Sequence, residues 1–255
     1  MLHSFGGGSL FGRSTGSAPP RILALHGWAR THSDFDAVLA PAPEAGGRTD
    51  PELDAIAVDL PGFGATPAPP EPWGSAEYAD AVAAVLDDMV SPVVVLGHSF
   101  GGRVALQLAA RRPAQVGAVV LTGVPNLVAS PGSVSKAPAP FRLIRALHGI
   151  GLVSNGRMEA ARQRFGSADY RNAEGVMRQV LVKSVGEHYE EQLEVIACPV
   201  TLVWGDDDTA SPLSVAKAAM TCLADATLIV APGAGHLTPL TVPGVLRTAL
   251  EERLR

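Results

Sequence analysis

The 255-residue chain has only two cysteines, Cys198 and Cys222, in no CxxC or Cys/His cluster. That is too few for a disulfide framework and gives no metal-ligand spacing, so both read as small apolar residues and no metal is expected. No run approaches the roughly 18 consecutive apolar residues of a membrane-spanning helix. The first twenty residues, MLHSFGGGSLFGRSTGSAPP, have neither a basic start nor a continuous apolar stretch, which argues against a standard secretory signal. A soluble cytoplasmic protein is the expectation. Excess positive charge is also missing: the formal net charge is −5, which points away from nucleic acid. Neither GxGxxG nor GxxxxGK[ST] occurs, so no nucleotide cofactor is expected, nor any other.

What is present is globular. Hydrophobic residues make up 47% and charged residues 18%, enough for a full core without staples. Short apolar runs at 21–25, 55–58, 93–96, 118–121, 200–204 and 227–230 show little alternation, as in strands buried on both faces of a parallel sheet. Helical spacing fills 75–89, with Ser75 as N-cap, and also 101–112, 212–223 and 242–255. The order predicts an α/β fold: a mostly parallel sheet with helices on both faces. A Pro-, Gly- and Ser-rich stretch then interrupts it, followed by a helical pattern without a convincing strand. The expected organisation is a core of residues 1–122 and 198–255, a linker at 123–140, and a helical cap (lid) at 141–197. Such an insertion hangs at the carboxyl edge of the strands, where open α/β sheets bind ligands.

The sharpest local signal is Gly97-His98-Ser99-Phe100-Gly101, placed directly after Pro-Val-Val-Val-Leu and before a helical run. A serine on a sharp strand-to-helix turn lies exposed above the sheet, and Gly97 and Gly101 let the chain close round it. The Phe100 amide is then free to donate to an oxyanion. His3-Ser4-Phe5-Gly6-Gly7 repeats five letters of this motif, but without a preceding strand or anything to hold a strained turn, so Ser4 reads as a bystander. A serine needs a base. Of seven histidines, His236 stands best, in Ala-Pro-Gly-Ala-Gly-His-Leu after the last strand. The side chain of His98 should point away from that of Ser99, His148 and His188 fall in the cap, and His32 has no evident task. The base in turn needs a carboxylate to orient it. Asp206, Asp207 and Asp208 follow one strand, and spacing does not choose among them; the rival position after residue 121 has no acid. His26-Gly27-Trp28 follows the first apolar run, where Gly27 allows a tight turn and the Trp28 amide becomes a second oxyanion donor. His26 has no partner at metal-ligand spacing. Asp59–Gly64 reads as a structural turn.

Taken together, His26-Gly27-Trp28, Asp59 to Gly64, Gly97 to Gly102, Trp204-Gly205-x-x-Asp208-x-x-x-Pro212 and Gly235-His236 resemble the α/β-hydrolase superfamily in its serine-nucleophile, helically capped branch. The resemblance runs from about residue 21 onward. It implies Ser99, Asp208 and His236 as a catalytic triad, the Trp28 and Phe100 amides as the oxyanion hole, and residues 141–197 as the cap. Thr241 stands where the family often has Glu. A serine nucleophile separates the chain from the dehalogenase and epoxide-hydrolase branches. The His-Gly-Trp and Asp-Leu-Pro-Gly-Phe-Gly segments are similar to those of pimeloyl-carrier-protein methyl esterases, and are widespread elsewhere. The expected function is hydrolysis of a carboxylic ester through an acyl-enzyme. A C–C bond hydrolase of the same fold and a non-catalytic small-molecule receptor are the alternatives.

Charge bears on the substrate. Residues 141–183 hold eight Lys/Arg against three acids, a net of +5, which leaves −10 for the rest of the −5 chain. Either this cap attracts an anionic ester or an acidic carrier protein, or it is a solvated helix face.

Overall fold

The computed structural model describes residues 1–43, 49–128 and 139–255. All six apolar runs form strands, and they lie parallel in one sheet. In chain order the elements begin with β1 (His3–Phe5), β2 (Leu10–Thr15), β3 (Ile22–Leu25), a 3-10 turn at His32–Phe35 and α1 (Asp36–Leu39). Next come two short strands off the main sheet, β4 (Ala42–Pro43) and β5 (Thr49–Asp50), then β6 (Ala55–Asp59), α2 (Ser75–Ala83), β7 (Val93–His98), α3 (Phe100–Arg111) and β8 (Val116–Thr122). Five helices follow: α4 (Ala139–Gly149), α5 (Asn155–Phe165), α6 (Ala168–Asn172), α7 (Gly175–Val185) and α8 (Glu190–Val195). The chain ends with β9 (Val200–Gly205), α9 (Leu213–Ala219), β10 (Ala226–Ala231), α10 (Thr238–Thr241) and α11 (Pro243–Leu254).

The main sheet has eight strands in the order β1-β2-β6-β3-β7-β8-β9-β10. From β6 to β10 the pairing is parallel, while β1–β2 and β2–β6 are antiparallel. Successive residues of a strand face opposite sides. Leu23, Leu25, Val93, Val95, Val119 and Leu121 therefore pack under α2 and α3. Ile22, Ala24, Val94, Leu96, Val120 and Val203 pack with Phe35, Val38, Leu246 and Leu250 on the other side. Each fully buried Leu, Val or Ile side chain contributes about 1.5–3 kcal/mol. This two-sided burial is why these strands read as unbroken apolar runs.

The structure differs from the sequence expectation at the N-terminus and at the start and end of the helix expected over 75–89. The terminus, expected to offer nothing that could hold a turn, forms a hairpin: Ser4 pairs with Phe11 between β1 and β2, and the turn is made by Gly6, Gly7 and Gly8 at positive φ. The sheet thus holds the terminus, and Ser4 sits in an exposed edge strand rather than an elbow. Ser75 is the first residue of α2, not its cap; Gly74 caps the helix, its N–H donating to the Glu77 carboxylate at 2.8 Å. The α-helix there ends at Ala83 and continues as a 3-10 turn, Ala84–Asp88. Of the linker expected at 123–140, residues 129–138 lie outside the described residues, and the chain is helical from Ala139.

Parallel strands bring their carboxyl ends to one edge. Leu25 stands beside Gly97, and His98 beside Thr122. The segments after β3, β7, β8, β9 and β10 therefore meet there.

Candidate active site

Ser99 is the N-cap of α3, with φ 50° and ψ −111°. That conformation costs a non-glycine residue about 1–3 kcal/mol and persists only where its surroundings enforce it. Here the Ser99 N–H donates to the Thr122 carbonyl at 2.9 Å, and the Gly101 N–H to the His26 carbonyl at 3.0 Å. A Cβ on Gly101 would stand 2.1 Å from the Leu25 carbonyl oxygen, and one on Gly97 would stand 2.5 Å from the Gly102 Cα. Both positions require glycine for the helix to close onto the sheet. The amides on either side of Phe100 are committed, whereas that of Phe100 starts the helix, where no intrahelical carbonyl is available.

The residues singled out from sequence converge on this turn. His236, on the loop after β10, has Nε2 3.1 Å from Ser99 Oγ and Nδ1 2.8 Å from Asp208 Oδ2. With Nδ1–H donating to the carboxylate, Nε2 is left to accept from the serine hydroxyl. Of the three adjacent aspartates, Asp208 is the buried one. Its Oδ1 accepts the N–H groups of Ala210 and Ser211 at 2.9 and 2.8 Å, which fixes its direction. Asp206 is exposed and accepts the Gly233 N–H at 2.7 Å, and Asp207 points to solvent.

His26, Gly27 and His98 frame the turn. His26 is buried with both ring nitrogens occupied: Nδ1–H donates to the Gly27 carbonyl at 2.7 Å, and Nε2 accepts the Leu60 N–H at 2.9 Å. Burial lowers its pKa to about 4, so the ring is neutral. It ties the His26-Gly27-Trp28 segment to the Asp59–Gly64 turn. A Cβ on Gly27 would lie 2.9 Å from His98 Nδ1 and 3.3 Å from Ser99 Cβ. His98 turns away from Ser99 and donates from Nε2 to the His236 carbonyl at 2.9 Å. Burial first, and the neighbouring His236 second, lower its pKa to about 4. His32 has a partner after all: its N–H and Nδ1 both meet Asp59 Oδ1 at 2.8 Å.

Ser99, Phe100, His236 and Trp28 border a cavity of about 200 Å³, whose remaining wall includes Pro125, Leu181, Val185 and Ala210. A second cavity of about 330 Å³ is lined by Trp28, Phe63, Asp169 and Met177, so Trp28 borders both. Its indole stacks edge-on against Phe63 and Phe100, with centroids 5.0 and 5.4 Å away.

Residues 22–248 match the model of the alpha/beta hydrolase family. The chain belongs to that family. It is similar to a pimeloyl-[acyl-carrier protein] methyl ester esterase of Aromatoleum aromaticum, 29% identical over 92% of this chain and 98% of that protein. It is also similar to the lipase LipV of Mycobacterium tuberculosis, 43% identical over 41% of this chain and 37% of LipV. Across the first curated relatives matched, this chain spans 32–39% of their length. Among solved structures, an esterase of Thermogutta terrifontis superposes with a TM-score of 0.67 at 21% identity, covering 97% of this chain and 94% of that one.

One feature of this alpha/beta hydrolase escaped the sequence reading. Arg103, four residues after Ser99, is buried and borders the same cavity. Its signal was a lone cation among Gly, Val, Ala and Leu on the first turns of α3. Cys198 and Cys222 carry free thiols, both half-buried against the core.

Proposed function

We propose that the protein is a serine hydrolase that cleaves a carboxylic ester through an acyl-enzyme on Ser99. The observation that carries this reading is the hydrogen-bonded chain from Ser99 Oγ through His236 to Asp208, at 3.1 and 2.8 Å. His236 Nε2 takes the hydroxyl proton as Ser99 Oγ bonds to the ester carbonyl carbon. The Phe100 and Trp28 amides hold the resulting oxyanion. When the carbon–alkoxy bond breaks, His236 returns the proton to the leaving alcohol. It then takes a proton from water as the water oxygen bonds to the acyl carbon, and returns that proton to Ser99 Oγ as the acyl–Oγ bond breaks and the acid is released. Asp208 orients His236 throughout. Each step uses protein groups and water, so the reaction takes no metal or other cofactor, and we place it in the cytoplasm.

Residues 141–197 act as the cap in this reading. Support comes from Ser167 and Asp169 at α6, and from Leu181, Ser184 and Val185 on α7, which border the cavity beside Ser99. Arg142, Arg145, Arg157, Arg164 and Arg171 are exposed on this segment, which suits an anionic ester or an acidic carrier. A relative named for a carrier-bound methyl ester agrees with that choice. On this reading kcat/KM for an anionic ester falls steeply with salt, and for a neutral ester does not.

The test is hydrolysis of a p-nitrophenyl ester series, acetate to decanoate, by wild type and Ser99→Ala. Turnover that vanishes in the variant supports the reading. Residual activity within about tenfold of wild type in Ser99→Ala removes it. A folded protein without turnover on any ester redirects the proposal to carbon–carbon cleavage, which uses the same three residues.

A further inference from the structure

We propose that Arg103 is the anchor for a free carboxylate on the substrate, which makes the preferred substrate a short ester bearing a second, anionic group. This inference rests on the ester-hydrolase reading of Ser99 and deepens it.

Among the described residues, two arginines are exposed to 5% or less and invite comparison. Arg247 is 4% exposed and has the Glu251 carboxylate 2.8 Å from Nε, with the Ala40 and Pro51 carbonyls on its other nitrogens. Arg103 is 5% exposed, and among the described residues its guanidinium has one hydrogen-bond partner, the Ser184 carbonyl in the last turn of α7. Its Nε is buried without a hydrogen-bond partner, as is that of Arg247, but among the described residues no carboxylate pairs with it. A buried cation without a counter-ion is costly, and the planar fork of a guanidinium matches a carboxylate in bidentate fashion.

Position supplies the second argument. Arg103 lies one helical turn beyond Ser99 and lines the same cavity as Ser99, Phe100 and His236. The acid that also borders this cavity, Asp169, is exposed and shared with the neighbouring cavity, so it leaves the inner wall cationic. At about 200 Å³ the space falls below the ~300–1,000 Å³ of drug-sized sites, so the anionic group must sit few bonds from the scissile carbonyl.

The rival account makes Arg103 a strut that fixes α7 through Ser184. The two are separated by calorimetric binding to Ser99→Ala, which retains its ligands unhydrolysed. The probes are monomethyl adipate against dimethyl adipate, with the carboxylate on the acyl side, and acetoxyacetate against its methyl ester, with it on the alcohol side. One anionic probe is expected to bind at least about tenfold tighter than its neutral partner. That preference should disappear in Ser99→Ala/Arg103→Met and survive in part in Ser99→Ala/Arg103→Lys, which also serves if the methionine variant does not fold. Equal binding within both pairs, or an anionic preference unchanged by Arg103→Met, overturns the proposal. A parallel loss of affinity for charged and neutral probes identifies the strut and overturns it too. If binding discriminates but wild type hydrolyses no ester, the ester reading falls and the anion subsite stands.

Discussion

His98 donates from Nε2 to the backbone carbonyl of His236 across 2.9 Å, so the residue before Ser99 holds the loop that carries His236. The rings stand 5.1 Å apart, and no other side-chain bond holds that carbonyl among the described residues. Removing the donor leaves a part-buried acceptor unpaired, a cost of about 1–3 kcal/mol that the loop can relieve by moving. His98→Ala is therefore expected to lower kcat roughly 10–100-fold with KM within about threefold. Steady-state kinetics on a neutral ester checks this, and a kcat within twofold of wild type would remove the positioning role.

The three adjacent aspartates should separate cleanly in kinetics. Asp208→Asn is expected to lower kcat about 10³–10⁴-fold, because the amide favours the wrong imidazole tautomer. Asp207→Asn, exposed, should leave kcat unchanged, and Asp206→Asn keeps an oxygen for the Gly233 N–H. Comparable losses in Asp207→Asn and Asp208→Asn would contradict the assignment.

Acid should weaken the fold through two buried histidines. Burial lowers the pKa of His26 and of His98 to about 4, while the unfolded chain binds those protons near pH 6.5. Between these values the unfolded state holds more protons, so the stabilisation is complete above pH 6.5 and is lost as pH falls toward 4. The slope approaches about 1.4 kcal/mol per pH unit for each histidine. Urea unfolding at pH 7, 6, 5 and 4.5 measures it. His26→Asn and His98→Asn should each flatten the slope, and an unchanged slope in both would show that other groups set it.

Gly101→Ala tests the closure of the elbow. Its methyl would meet the Leu25 and His26 carbonyl oxygens at 2.1 and 2.6 Å, and both belong to backbone held at the sheet edge. A loss of about 2–4 kcal/mol in chemical denaturation is expected, with activity falling alongside. Wild-type stability would mean that α3 does not approach β3 this closely.

Some of this molecule is plain in the amino-acid order and some is not, for physical reasons. β7 and β8 are buried on both faces, and an unbroken run of Val and Leu announces that. The hairpin of β1 and β2 was missed because β1 is exposed and its partner carries Gly12, Arg13 and Ser14, a pattern without an apolar stripe. Ser75 looked like a cap since its type favours one, yet Glu77 reaches back to Gly74 and the Ser75 hydroxyl accepts from Gln107 instead. Ser99 and His236 stood out through their local turns. Arg103 did not, because what distinguishes it is a carbonyl 81 positions away on α7 and, among the described residues, the lack of an ion-pair partner.

On the proposed reading, Trp28 presents two separate surfaces to the substrate. Its amide is the proposed second oxyanion donor, while its indole forms part of the wall of both cavities. The backbone atoms answer to the chemistry and the ring to the shape of what enters. A smaller ring or an aliphatic side chain at this position would widen the range of accepted molecules while the donor stayed in place.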